Sequence, residues 1–225
     1  MDKFYILLQE IKDNPVMYLD KPSITNLRSF LDGYIFSRGY LGLNRKGYAT
    51  QGFHEWMQAT AKVSASHSWT GIILSLSGNE TNAFYNFFDF FEKFLHQQET
   101  LENQKNEVEE NSTAITNEFK VSKFDFYDEI LKTVKKRPGL FIGTNSITKL
   151  DMFLRGYSLA RREVNVPLTE PEREFEGFQA WIKEKYGIKS DQSWAKIILL
   201  HSIDEKEALE KFFELYEEYL QQNKS

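Results

Sequence analysis

The sequence predicts an all-α protein made of two tandem copies of a small helical domain, each with about four to five helices. Residues 4–97 and 127–222 repeat one another, first at a constant offset of 123 and, after a divergent stretch, at an offset of 125. In both copies apolar residues recur at helical spacing, and proline and capping residues separate the periodic segments. We therefore predict domains at 1–97 and 123–225, with an acidic polar linker or a helical extension at 98–122.

A short helix opens each copy, and a proline ends it. The apolar positions of this helix are Phe4, Leu7, Leu8 and Ile11 in the first copy and Tyr127, Ile130, Leu131 and Val134 in the second. Pro15 and Pro138 follow, and proline is unfavourable inside a helix because it lacks an N–H group and clashes with the preceding turn. We predict an ordered bend at each proline.

The next helix is predicted over residues 24–38 and over the equivalent residues of the second copy. Ser23 and Ser146 precede these segments and are candidate N-caps. Gly33 and Gly156 fall in the middle of the two helices, where glycine costs about 1 kcal/mol relative to alanine. We interpret both glycines as sites of close helix packing.

Three further helices complete each copy. The first carries Trp56 or Trp181 on an amphipathic face, and the second begins near Trp69 or Trp194, where preceding capping residues favour helix over strand. The apolar stripe of the last helix consists of Ala83, Phe84, Phe87, Phe88, Phe90, Phe91, Phe94 and Leu95, matched by Ala208, Leu209, Phe212, Phe213, Leu215, Tyr216, Tyr219 and Leu220. Because all four tryptophans lie on apolar faces, we predict that they are largely buried and structural.

Composition limits the classes of partner. The chain has 225 residues, a formal net charge of −5 and no cysteine, which excludes disulfides, thiolate metal sites and a cysteine nucleophile. Residues 1–96 carry nine basic and nine acidic side chains, and residues 123–225 carry 17 and 18. Neither copy has the basic excess that binding to a phosphate backbone requires, so nucleic acid is not the expected partner. With no signal-peptide core and no run of transmembrane length, we expect a cytoplasmic protein without a membrane partner.

No residue pattern predicts catalysis. The four histidines, His54, His67, His96 and His201, have no histidine at the equivalent position of the other copy, which argues against a duplicated metal or acid–base site. The sequence also lacks a glycine-rich phosphate-binding loop and a nucleophile next to a base. We therefore expect no catalytic, cofactor-binding or metal-binding residues, and an enzyme is the less favoured class.

Candidate partner-binding residues lie where the copies differ most. The divergent loop of the first copy offers an aromatic and basic mixture typical of interface anchors, namely Tyr40, Asn44, Arg45, Lys46 and Tyr48. The corresponding loop of the second copy offers an acidic surface that could cover a basic partner, namely Glu170, Glu172, Glu174 and Glu176. Loops also diverge freely without any binding role, so an ordinary exposed loop is the alternative interpretation of both.

The order of motifs in the second copy resembles a group of small, functionally uncharacterised bacterial proteins. These motifs are RPGLFIG, SITKLDMFLRGY, the aromatic segment at 175–182, QSWAKIILLHS and a final acidic aromatic helix. The first copy departs from the pattern at Asn14, Val16 and Asp20. The resemblance implies a compact cytoplasmic domain, and such acidic, cysteine-free bacterial domains are similar to immunity proteins that sequester a toxin. We thus expect a non-catalytic protein that binds a protein partner, most concretely a cognate toxin.

One string supports a different class of function. KKRPGLFIG at residues 135–143 resembles the RKRPGMYIG string near the start of the ATPase domain of type II topoisomerases. The Asn-bearing helix and the Asp-x-Gly-x-Gly loop through which those domains bind ATP do not appear in this chain. The alternative function is therefore a nucleotide or small-ligand binding domain built around residues 135–143.

Overall fold

The computed structural model describes residues 3–43, 50, 52–63, 67–105 and 126–223. Every regular element among these residues is helical, and no strand occurs among them, so the predicted all-α class is confirmed.

The helices follow the predicted order in each half of the chain. The first half contains α1 (Lys3–Asp13), α2 (Pro15–Leu19), α3 (Ile24–Tyr40), α4 (Phe53–Ala61), α5 (Trp69–Ser77) and α6 (Glu80–Lys105). The second half contains α7 (Phe126–Lys136), a 3-10 turn (Pro138–Leu140), α8 (Ile147–Arg162), α9 (Glu170–Lys185), α10 (Trp194–Leu200) and α11 (Glu205–Gln222). The apolar run at Trp69 is helical, as predicted.

The described residues fall into two compact units. One draws on Met1–Arg28 and Arg38–Lys120, and the other on Ser29–Ser37 and Val121–Ser225. This division runs inside α3, whereas the predicted bounds 1–97, 98–122 and 123–225 follow the sequence repeat. Helix α6 also continues beyond residue 97 to Lys105, in line with the helical-extension alternative for the start of the linker.

The preceding helix ends before each proline, as predicted, and each proline begins a short helical element that the sequence analysis did not predict. Helix α1 ends at Asp13 and Pro15 is the first residue of α2, while Pro138 is the first residue of the 3-10 turn after α7. Proline fits these positions because the first residues of a helix need no N–H partner within the helix.

A hydroxyl–carboxylate clasp joins the start of α3 to the start of α6 in the first unit. The Ser23 hydroxyl donates to Glu80 Oε2 at 2.7 Å, and the Thr25 hydroxyl donates to Glu80 Oε1 at 2.6 Å. The backbone N–H of Thr25 donates to Glu80 Oε2 at 3.0 Å, so the carboxylate also satisfies one free N–H group of the α3 terminus. The Ser23 Oγ atom accepts from the Asn26 N–H at 3.2 Å, consistent with the predicted N-cap.

The same clasp occurs in the second unit. Ser146 and Thr148 donate their hydroxyls to Glu205 Oε2 and Oε1 at 2.8 and 2.7 Å, and the Thr148 N–H donates to Oε2 at 3.0 Å. The Lys12–Glu92 ion pair of the first unit has an equivalent in Lys135–Glu217 of the second. Residues shared by the two halves of the chain thus make the same contacts within their own units.

Within the second unit, the middle of α3 packs against α8 at two glycines. A Cβ atom built on Gly33 would lie 1.9 Å from the carbonyl oxygen of Phe153, and one built on Gly156 would lie 2.0 Å from the carbonyl oxygen of Phe30. Real Cβ atoms do not approach backbone oxygens this closely, so the interpretation of both glycines as close-packing sites is confirmed. Next to them, the Tyr34 hydroxyl donates to a carboxylate oxygen of Glu163 at 2.6 Å.

None of the four tryptophans is exposed, in line with the prediction that they are largely buried, but they divide into two classes. Trp69 and Trp194 are buried at the start of α5 and α10. Trp56 and Trp181 are half-buried, because the polar edge of each indole reaches an exposed part of the last helix of its unit. The indole N–H groups donate to glutamine side chains, from Trp56 to Gln97 at 2.6 Å and from Trp181 to Gln222 at 2.8 Å.

We predict that Gly33→Ala and Gly156→Ala each destabilise the protein by about 1–3 kcal/mol, because the added methyl group collides with a backbone oxygen. Helix propensity alone would stabilise either variant by about 1 kcal/mol, so the sign of the change decides between packing and propensity. Urea unfolding measures it. Gly139→Ala is the control, since a Cβ there meets no atom within 4 Å; a stabilised Gly156→Ala protein would contradict the close contact.

The clasp also predicts a pH dependence. Burial raises the pKa of Glu80, but hydrogen bonds from Thr25 and Ser23 and the charge of Lys21 outweigh burial and lower this pKa below its ordinary value of 4.5. The clasp therefore adds stability above that pH, and this stability is lost as the pH falls through the folded-state pKa.

We expect Glu80→Gln to unfold at lower urea concentration at neutral pH, with a loss of about 1–2 kcal/mol. The loss should shrink as the pH falls below 4.5 and through the lowered pKa of Glu80 in the folded state, because the wild-type carboxylate then becomes protonated. Glu55→Gln, at an exposed position of α4, is the control, and it should unfold at the wild-type urea concentration at both neutral and acidic pH. An equal loss at neutral and acidic pH would show that the charge of Glu80 is irrelevant.

Candidate partner-binding surface

The loop predicted as a binding surface in the first copy lies mostly outside the described residues. Tyr40 is the last residue of α3 and is half-buried. Asn44, Arg45, Lys46 and Tyr48 lie outside the described residues. Their role as interface anchors stays a prediction.

The acidic residues of the second copy belong to a helix and not to a loop. Helix α9 begins at Glu170, and Thr169 is its N-cap. The Thr169 hydroxyl accepts from the Glu172 N–H at 3.4 Å, while a Glu172 carboxylate oxygen accepts from the Thr169 N–H at 2.7 Å. This capping box, with Pro171 in the first turn, starts the helix well before the predicted aromatic segment. The Thr-Glu-Pro-Glu string carried that signal, and reading the stretch as a divergent loop missed it.

Glu172 is a structural residue, so its assignment to an exposed acidic surface is wrong. Its side chain is 5% exposed and lies against the buried guanidinium of Arg161. The Arg161 Nε and Glu172 Oε1 atoms are 2.9 Å apart, a contact whose angles fall outside hydrogen-bond geometry, and Arg161 donates from an Nη atom to Oε2 at 3.1 Å. The same guanidinium donates to the carbonyl of Pro167 at 3.1 Å and so ties down the turn before α9.

The remaining acidic residues differ in how exposed they are, and therefore in how far they are available to a binding partner. Glu170 is exposed and pairs with Arg173 at 3.1 Å. Glu174 is half-buried, and its backbone carbonyl accepts from the Tyr219 hydroxyl at 2.8 Å. Glu176 is exposed, as is Glu184 further along α9, a residue outside the predicted set. Among the described residues no side chain forms an ion pair with Glu176, so its charge faces solvent.

The KKRPGLFIG segment divides into buried and exposed residues. Ile142 is buried, and Lys135, although exposed, pairs with Glu217. Lys136, Arg137 and Leu140 are also exposed, and sequence patterns gave no signal that distinguished the exposed Leu140 from the buried Ile142.

Within the described ranges, no group of three or more His, Cys, Asp or Glu side chains is arranged to hold a metal ion. In the same part of the chain, no helix combines the length and apolar character needed to cross a membrane.

Comparisons with models of protein families, with curated proteins and with solved structures gave no match to this chain. The family resemblance and the immunity-protein likeness therefore stay predictions.

We predict that Glu172→Ala costs about 3–5 kcal/mol, because it leaves the Arg161 charge buried without a partner and removes half of the capping box. Urea unfolding followed by circular dichroism measures the loss. Glu176→Ala is the matched control on the same helix, and we expect it to change stability by no more than about 0.5 kcal/mol. A stable Glu172→Ala protein that no longer binds a partner would return Glu172 to the candidate surface.

Proposed function

We propose that this chain is a non-catalytic, cytoplasmic protein that binds a protein partner, most concretely a bacterial immunity protein that neutralises a cognate toxin by covering its surface. In this proposal the two halves of the chain are tandem copies of one helical domain. Their shared residues build the fold, and their differing residues provide the binding surfaces.

The observation that carries this proposal is how the shared and the differing charges are used. Shared carboxylates include Glu80 and Glu205, which are engaged within their own units in the two clasps. By contrast, Glu176 and Glu184 lie on the exposed side of α9, at positions without an acidic equivalent in the first copy. Exposed charge that stabilises no internal contact is available for electrostatic attraction to a partner, and these two carboxylates favour a basic one.

The nucleotide-binding alternative rests on the exposed Lys136 and Arg137, which could contact phosphate groups. Isothermal titration of the full chain with ATP and Mg²⁺ separates the two classes. Binding that disappears in Arg137→Ala would favour the nucleotide function, and turnover of ATP that disappears in the same variant would overturn the non-catalytic assignment.

We predict that reversing charge on α9 weakens the complex with the product of the neighbouring gene, the natural candidate for a cognate toxin. Glu176→Lys combined with Glu184→Lys should slow association severalfold at low salt and flatten its salt dependence, because steering by exposed charges is screened by ions. Stopped-flow or surface plasmon resonance measurements give these rates.

Glu210→Lys combined with Glu214→Lys on α11 is the matched control, because it changes the net charge by the same amount and both residues are exposed helical carboxylates of the second unit. It should leave the association rate within about twofold of the wild-type rate. Equal effects of the two reversals would mean that only net charge matters, and α9 would then have no specific role in binding.

A further inference from the structure

We propose that the proline loop of the second unit, residues 136–142, is a docking site for an acidic segment of a protein partner that carries an apolar side chain. This inference rests on the proposed protein-binding function. It concerns a different surface from the acidic face of α9, formed by Glu176 and Glu184, and a partner segment of opposite charge.

The loop is held firmly in one conformation. The Leu140 N–H donates to the carbonyl of Arg137 at 3.1 Å, and the Ile142 N–H donates to the carbonyl of Pro138 at 3.0 Å. Phe141 is fixed by its ring contact with Phe153, with centroids 5.8 Å apart. These bonds set the backbone before any partner arrives, so docking would cost little conformational entropy.

This firm backbone holds a large apolar side chain in solvent. Leu140 is 67% exposed, although Ile142, two residues further on, is 4% exposed. A single exposed leucine is ordinary in a folded protein. Here the exposure recurs, since Met17 occupies the equivalent position of the first unit and is 80% exposed beside the exposed Val16. The same position is thus apolar and outward-facing in both units, which the burial of a core does not explain.

The proline loops of the two units differ in charge, and this difference indicates the chemistry of the partner. Lys136 and Arg137 are exposed beside Leu140, and no side chain among the described residues forms an ion pair with either of them. The equivalent residues of the first unit are Asp13 and Asn14, which are also exposed. An apolar side chain next to an arginine and a lysine is complementary to an apolar side chain flanked by carboxylates.

A protein segment fits this loop better than a phosphate polymer or a lipid surface. Two exposed cations release too few counterions to hold a nucleic acid against a chain whose net charge is −5. Clusters that bind anionic membranes usually contain about four to eight basic residues. The exposed Leu140 adds an apolar contact that neither the phosphates nor the lipid headgroups would use.

The test uses the full-length chain and random short peptides displayed on phage. Peptides selected on the immobilised protein are synthesised, and their affinities are measured by fluorescence anisotropy. We expect the selected peptides to combine aspartate or glutamate with a large apolar residue. Leu140→Ala should weaken their binding at least about tenfold, and Lys136→Glu combined with Arg137→Glu should weaken it similarly at low salt.

Met17→Ala at the equivalent position of the first unit is the matched control and should change these affinities by less than about twofold. All substituted side chains are exposed, and circular dichroism during urea unfolding checks that each variant keeps its fold. Retained affinity in the charge-reversed double variant would overturn the proposal even if Leu140→Ala were unstable.

Three other outcomes would also overturn the loop assignment. The first is that no specific peptide is obtained, and the second is sedimentation with phosphatidylserine vesicles that depends on Leu140. The third is selection of peptides whose binding is lost in Glu176→Lys and kept in Leu140→Ala, which would move the site to α9 and leave the protein-binding function intact. The protein-binding function itself fails only if the neighbouring gene product also forms no complex.

Discussion

The fold depends on one carboxylate in each unit that is placed at two helix N-termini. Glu80 is the first residue of α6, where its negative charge interacts favourably with the helix dipole. Its carboxylate oxygens also accept hydrogen bonds from the hydroxyl and the N–H of Thr25 at the start of α3. One side chain therefore stabilises two helix ends and fixes their separation. Because Glu205 and Thr148 make the same contacts in the second unit, the start of α11 is tied to the start of α8 in the same way.

A second constraint is steric and confined to the second unit. The backbone oxygens of Phe30 and Phe153 occupy the space where side chains at Gly156 and Gly33 would lie. Two helices can approach this closely only if both carry glycine at the crossing, which explains why a residue with poor helix propensity stands in the middle of each. The close approach brings Tyr34 within hydrogen-bonding distance of Glu163.

Ion pairs within the second unit determine which of its charges remain available for binding. Glu172 is used to hold Arg161 and to start α9, whereas Glu176, one turn later, faces solvent. Lys135 is paired with Glu217, whereas the next residues, Lys136 and Arg137, form no ion pair with a side chain among the described residues. The acidic face of α9 and the basic proline loop thus offer two surfaces of opposite charge, and a partner that contacts both would need complementary charges of both signs.

The sequence by itself determined the helical class, the order of the helices and the bends at Pro15 and Pro138. These features follow from local chemistry, namely apolar periodicity and the effect of proline on the backbone. It also predicted the role of Gly33 and Gly156, because the cost of glycine inside a helix requires a compensating close contact.

The tertiary structure alone decided which side chains of the candidate surface are exposed. Glu172 and Glu176 are one helical turn apart with the same chemistry, but only Glu172 faces a buried arginine from another helix. In the same way, Leu140 and Ile142 read alike in the sequence, and the 3-10 turn sends one outward and the other into the core. Exposure depends on contacts between residues distant in the chain, and a local pattern holds no information about them.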